Sequence, residues 1–187
     1  PDISIQPNSL REMKQALSQQ NVAGVMIRTC SPNGNILYDY FSLKGFVQTW
    51  LKGKKDCIIE TDYLAGSCML LSREVIDRFS LFDDSFFMYW EEVDLSLRLR
   101  GNGFKIVSTT YSSVYREDND YQRKANAIYF LVRNAFILQK KHPNLNSLDM
   151  CIYLGRFFLT SCLGYLRTWD FNFLFNFFKG FAAGIKV

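Results

Sequence analysis

The sequence predicts an α/β domain followed by a helical, aromatic-rich tail. Three observations carry that prediction. Short apolar runs bounded by turn residues, Val22 to Ile27 and Lys105 to Val107, read as strands. Between and after them, apolar residues recur at three- and four-residue spacing, at Leu10, Met13 and Leu17 and again at Ile128, Leu131, Val132, Ala135 and Leu138, which is helical periodicity. Finally, eight of the 17 phenylalanines fall after residue 139. A chain of 187 residues allows one domain with a tail, and a hydrophobic fraction of 48% excludes disorder. The expected division is residues 1–139 and residues 140–187.

In chain order, Ser9-Leu10-Arg11-Glu12 has the form of a capping box that would open the first helix. The apolar run from Val22 reads as a buried strand that ends in the turn Ser31-Pro32-Asn33-Gly34-Asn35. Residues 36–55 are aromatic (Tyr38, Tyr40, Phe41, Phe46, Trp50) with a basic end from Lys52 to Lys55, and read as mixed loop and helix covering a cleft. From Asp62 to Glu74 small residues run into an apolar strand and then a charged helix start. A further strand follows the turn Gly101-Asn102-Gly103, and a helix is expected from Tyr121 to Gln139.

The stretch richest in chemistry is Phe82 to Arg98. Five carboxylates (Asp83, Asp84, Glu91, Glu92, Asp94) lie within twelve positions, interleaved with Phe82, Phe86, Phe87, Tyr89 and Trp90. A purely solvated acidic face would not carry those rings. Carboxylates among aromatics suit the wall of a cleft, where burial can raise a pKa and make proton transfer useful. A helix is expected from about Tyr89 to Arg100, with Met88, Glu92, Leu95 and Leu99 on one apolar stripe and Glu91, Asp94 and Arg98 on the neighbouring face. Two acids in a first helical turn also suit the positive end of the helix dipole; the acid on the apolar stripe is what points to chemistry. Gly66 beside Ser67 would let backbone approach a ligand, although a simple turn is the commoner use of glycine.

Taken together, Asp62-x-x-x-Gly66-Ser67-x-Met69-Leu70-x-x-Arg73, then Phe82-Asp83-x-x-Phe86-Phe87-x-Tyr89-x-Glu91-Glu92-Val93-Asp94-Leu95-x-x-Arg98, then Gly103-Phe104, resembles the acceptor-side half of the family 2 glycosyltransferases. The similarity is to the rhamnosyltransferase-like branch, which builds bacterial surface polysaccharides. Tyr129-x-x-x-Arg133-Asn134 matches a further signature of that family. The resemblance implies the C-terminal part of a GT-A fold, a mixed sheet with flanking helices, and inverting transfer of a sugar from a nucleotide-diphosphate donor to a lipid-linked or polysaccharide acceptor. It implies Glu92 as the catalytic base with Glu91 as its neighbouring support, and Asp62, Gly66, Ser67, Asp94, Arg98 and Arg116 as substrate-binding residues. Pro1-Asp2 matches the end of the family's metal-binding Asp-x-Asp motif, so Asp2 takes the role of ligand to a divalent cation, Mg2+ or Mn2+. Where the family carries a metal-diphosphate histidine this chain has Tyr115 or Arg116, which puts the metal dependence in question; Arg116 could offset diphosphate charge itself or be a surface arginine. The family's nucleotide-binding half would precede Pro1, so the chain reads as part of such an enzyme or as a truncated, non-catalytic remnant of one.

Charge and composition bound the partners. All of the net +4 lies from Lys140 onward, where six basic residues face Asp149 and Asp170. That is not the dense basic stripe of a nucleic-acid binder. The run Trp169 to Lys179, aromatic with flanking cations, suits a segment lying on anionic lipid, or else a helical pair packed on the core. No clean span of about 20 apolar residues predicts a transmembrane helix. Five cysteines without a Cys-x-x-Cys pair are expected as thiols in a cytosolic compartment, and the tail would hold the protein at the inner face of the cell membrane. The lone histidine, His142, makes a Ser-His-Asp triad improbable. Paired carboxylates in an aromatic cleft would also suit a glycoside hydrolase, a class that needs neither the Pro-Asp opening nor the tail.

Overall fold

The computed structural model describes residues 3–117 and 121–187, with side chains described at 3–117 and from 127 onward. In order, the elements are β1 (Ile3–Ile5), α1 (Ser9–Leu17), β2 (Val22–Cys30), β3 (Ile36–Tyr38), β4 (Tyr40–Lys44), β5 (Val47–Leu51), β6 (Ile58–Glu60), β7 (Met69–Leu71), α2 (Arg73–Arg78), α3 (Glu91–Gly101), β8 (Lys105–Arg116), α4 (Tyr121–Lys141), α5 (Ser147–Thr168) and α6 (Asn172–Ile185). They form two compact units. The first comprises Pro1–Leu43, Gln48–Phe82 and Glu92–Asp118; the second comprises Lys44–Val47, Asp83–Glu91 and Asn119–Val187.

The first unit is built on a mixed six-stranded sheet, in keeping with the expected α/β class. Its centre is the parallel pair β2 and β8. All nine residues of β2 are buried, which is why the strand reads as an unbroken apolar run rather than an alternation. Two short strands extend β8 antiparallel at different heights, β6 opposite Val107 to Thr109 and β1 opposite Val114 to Arg116. Strands β7 and β3 do the same for β2. The β2–β8 register jumps between Ile27 and Arg28, whose partners are Thr109 and Ser113. The displaced residues of β8 are held from outside the β2–β8 ladder: Thr110 donates its N–H to Cys57 O, just before β6, and Ser112 Oγ lies 3.0 Å from Ser9 Oγ at the start of α1. Met13 and Ala16 of α1 pack on Val22, Val25, Ile27, Val107 and Val114 to make the core.

Two local expectations are corrected here. The capping box does not form: the N-cap is Asn8, without a side-chain bond, and Ser9 Oγ is buried against Ser112 Oγ and Ser113 O. A long-range partner has taken the hydroxyl that a local cap would use. Residues 36–55 form three strands and no helix. Strands β4 and β5 pair as a separate ribbon, turned by Gly45 at φ +55°.

The second unit packs α4, α5 and α6 together. Gly180 of α6 approaches α4 so closely that a Cβ there would stand 2.6 Å from Tyr129 O. Residues 83–91 belong to this unit and explain a third correction. The expected helix start at Tyr89 is displaced to Glu91 because Phe87, Tyr89 and Trp90 all hold left-handed backbone, with φ +60°, +65° and +74°. Each such residue costs roughly 1–2 kcal/mol, so the bend must be held from outside. The buried Asn134 amide does this, donating to the carbonyls of Phe86, Met88 and Tyr89 at 2.8, 2.7 and 2.9 Å. Trp90 Nε1 donates to Leu131 O at 3.1 Å, and the indole packs against Phe46 and Tyr153. Met88 is therefore off the helical stripe and 43% exposed. Among the described residues no helix is long and apolar enough to cross a membrane.

Candidate active site

Helix α3 positions most of the residues that the sequence singled out. Leu95 and Leu99 are fully buried on the stripe that carries Glu92, which is half-buried at the first turn. The Glu92 carboxylate lies over Gly66: a Cβ at position 66 would stand 2.8 Å from Glu92 Oε1. Only glycine leaves that space open. The pairing is fixed by Ser96, which is fully buried. It receives the Leu64 N–H at 3.0 Å and donates its own proton to Glu92 O at 2.6 Å, stitching the residue 64–67 loop to the start of α3. The sequence does place a serine one turn below Glu92, but nothing local says that its partner is Leu64.

Around this junction the first unit gathers hydroxyls and rings. Ser67 Oγ is 2.8 Å from the Tyr38 hydroxyl. Tyr63 stacks on Phe41 with centroids 4.3 Å apart and planes 8° apart. Burial pushes the Tyr63 hydroxyl pKa well up, and the neighbouring negative charge of Glu92 pushes it further, while a hydrogen bond from Trp50 partly opposes both. Tyr63 thus stays protonated beside Glu92. Tyr38, Trp50 and Tyr63 were not recognised in sequence as parts of the site, because only the fold brings residues 38, 50, 63, 66 and 92 together.

The other expected residues are placed differently. Asp94 is fully buried and paired with Arg98 at 2.9 Å, as the i,i+4 spacing predicts, and Arg98 also donates to the carbonyls of Ser80 and Leu81. These bonds tie the chain ahead of the acidic stretch to α3. Asp62 accepts from Leu43 N at 2.8 Å and pairs with Arg100 at 3.1 Å. It lines a cleft of about 360 Å³ whose walls include Tyr40, Glu60, Arg100 and Lys105 but not Gly66, Ser67 or Glu92. Arg116 is half-buried at the last position of β8, opposite Ile3. Glu91, the first residue of α3, holds a buried Oε2 with no hydrogen-bond partner, an unmet polar demand at the start of the helix. Asp2 lies outside the described residues. Among the described residues no group of three or more His, Cys, Asp or Glu side chains is arranged to hold a metal ion.

No family model matches the chain. A solved structure of GalNAc-T7 with UDP, GalNAc and Mn2+ matches with a TM-score of 0.49 and 14% identity, covering 77% of this chain and 36% of that one. In sequence, the chain is 24% identical over 147 residues to the low-salt glycan biosynthesis hexosyltransferase Agl10 of Haloferax volcanii, an alignment covering 73% of this chain and 48% of that protein. This chain is therefore similar to a glycan-building hexosyltransferase and spans about half the length of that curated relative.

Proposed function

We propose that this chain is the acceptor-side part of a GT-A, nucleotide-sugar-dependent glycosyltransferase of the rhamnosyltransferase-like kind, with Glu92 as its base. The observation that carries the reading is the Glu92 carboxylate lying on Gly66, bordered by Tyr63 and held by the Ser96 stitch. A sugar hydroxyl is a weak nucleophile at neutral pH and gains from a positioned carboxylate. In the proposed reaction Glu92 takes the acceptor hydroxyl proton as that oxygen bonds to the anomeric carbon of the donor. The bond from that carbon to the diphosphate oxygen breaks, and the nucleoside diphosphate leaves with the electron pair. Attack from the face opposite the leaving group inverts the anomeric centre. Glu91, next in sequence, is the supporting acid, and Ser67 supplies a hydroxyl to the acceptor.

A divalent cation would offset diphosphate charge, with Asp2 as its ligand and Arg116 as a further positive group. The described residues do not gather a set that fits the ion, and no step above passes through it. The donor in this reading is a nucleotide-diphosphate sugar and the acceptor a lipid-linked glycan destined for a bacterial surface polysaccharide. The tail supports a place at the membrane surface, on the cytoplasmic side. Helices α5 and α6 leave Leu159, Leu163, Leu166, Trp169, Phe171, Phe175 and Phe178 exposed, with Arg156, Arg167, Lys179 and Lys186 among them.

The test is Glu92→Gln in the full-length protein. Transfer should fall at least about 100-fold while nucleotide-sugar binding persists; unchanged turnover would refute the base assignment.

A further inference from the structure

The segment Tyr38 to Trp50 has no counterpart among the family motifs, yet its rings pack on Tyr63, the neighbour of Glu92. Trp50 is 60% exposed, whereas the rings it sits among, Tyr38, Phe41 and Tyr63, are nearly covered. An indole left this open offers a flat apolar face to a ligand. Its orientation is nevertheless set. It meets Tyr38 edge-on at 5.4 Å and 68°, and Phe41 at 6.3 Å and 66°. Both contacts lead back to the site, since Tyr38 bonds Ser67 and Phe41 stacks on Tyr63, the neighbour of Glu92.

We propose that Trp50 is a stacking platform for a neutral sugar ring of the acceptor, one ring removed from Glu92 across Tyr63, with the half-buried Ser67 hydroxyl, held by the buried Tyr38, as its polar rim. The inference rests on the glycosyl-transfer reading for its biological meaning, not for the binding itself. A pyranose presents axial C–H bonds on one face and hydroxyls around its edge. An open indole beside paired hydroxyls matches both. None of Tyr38, Phe41, Trp50, Tyr63 and Ser67 carries a formal charge at neutral pH, so the platform favours a neutral hexose or deoxyhexose over a uronic acid or a phosphate. The ribbon of β4 and β5 that holds it would then be the part of the chain that reads the acceptor.

The test uses the full-length protein and methyl glycosides of glucose, galactose, mannose and rhamnose as probes, followed by saturation-transfer NMR. At least one should bind through its C–H face. Trp50→Ala should weaken it roughly tenfold, as loss of one ring contact worth about 1.4 kcal/mol does, and Trp50→Phe should restore most of the affinity. Both variants lose the Trp50 hydrogen bond to Tyr63 and should show similarly lowered thermal midpoints, so the difference in binding between Trp50→Ala and Trp50→Phe reads the ring itself. Equal binding by wild type and Trp50→Ala, no glycoside bound by the wild type, or tighter binding of methyl glucuronide would each overturn the proposal. Hydrolysis of the donor to water separates the two possible sources of the sugar. An unchanged donor KM in Trp50→Ala supports the acceptor assignment, and a tenfold rise in donor KM overturns it. Glycoside binding should survive in Glu92→Gln, and full turnover by that variant would overturn the base assignment alone. No transfer by a wild type that still binds a glycoside would sink the transfer reading and leave the platform standing.

Discussion

The ring cluster of the first unit's site and the rings of the second unit's tail are used in opposite ways. In the first, Tyr38 is held by Ser67 and Tyr63 by its stack on Phe41 and its hydrogen bond from Trp50, with Tyr63 next to the Glu92 carboxylate. In the second, Trp90 at the bend is buried with Tyr153 and Phe46, whereas rings along α5 and α6 are left open in rows such as Phe171, Phe175 and Phe178. The lesson is that an aromatic-rich composition does not define one job. A ring whose edge is pinned and whose surroundings carry hydroxyls can recognise a ligand; a row of open rings among cations offers area to a surface.

That contrast predicts where damage should appear. The largest effect on stability should come from the second unit's bend. Asn134→Leu removes the donors for three carbonyls and should cost about 3 kcal/mol in chemical denaturation; a loss below 1 kcal/mol would mean that the left-handed run holds itself. In the first unit the expected damage is to activity rather than stability. Gly66→Ala intrudes on Glu92 Oε1 and should lower transfer at least about tenfold with little change in thermal midpoint, and a fully active variant would show that the carboxylate has room to move. A smaller effect should follow acid. Hydrogen bonds from Lys141 and then from Ser85 hold the Asp83 carboxyl well below its ordinary value of 3.8, so its contribution is complete above that value and is lost as pH falls through the lower folded one. Thermal midpoints between pH 4 and pH 2 should therefore fall more steeply for wild type than for Asp83→Asn, and parallel curves would exclude the pair as a source of stability. The smallest stability effect belongs to the open rows. Phe175→Ser with Phe178→Ser should shift folding by no more than about 0.5 kcal/mol per site, yet weaken binding to vesicles containing anionic lipid. Undiminished vesicle binding would break the proposed link between open rings and membrane.

Much of the scaffold could be read from periodicity. The continuous apolar run of β2, the spacing of Met13 and Ala16 against it, and the long helix from Tyr121 all have local signatures. The bend before α3 has none. Left-handed residues usually announce themselves as glycine or asparagine, and here they are Phe87, Tyr89 and Trp90, in a bend held by Asn134, which bonds the carbonyls of Phe86, Met88 and Tyr89 from 45 to 48 positions away. Ser9 misled for the same reason, since its hydroxyl answers to Ser112 rather than to its own helix. The motif resemblance assigns Glu92 and Gly66 to one site but not Trp50 and Tyr63, whose neighbourhood exists only after the β4–β5 ribbon has formed.

The anchored face of α3 sets where its acid points. Successive side chains on a helix are about 100° apart around its axis, at 3.6 per turn. Because Glu92 shares one helix with the buried Leu95, Ser96 and Leu99, its angular phase is decided by the count of residues between it and those anchors. Inserting one alanine between Glu92 and Leu95 would turn the acid about 100° away from Gly66 without altering a single side chain. In this chain, then, spacing is a determinant of chemistry as strict as residue identity.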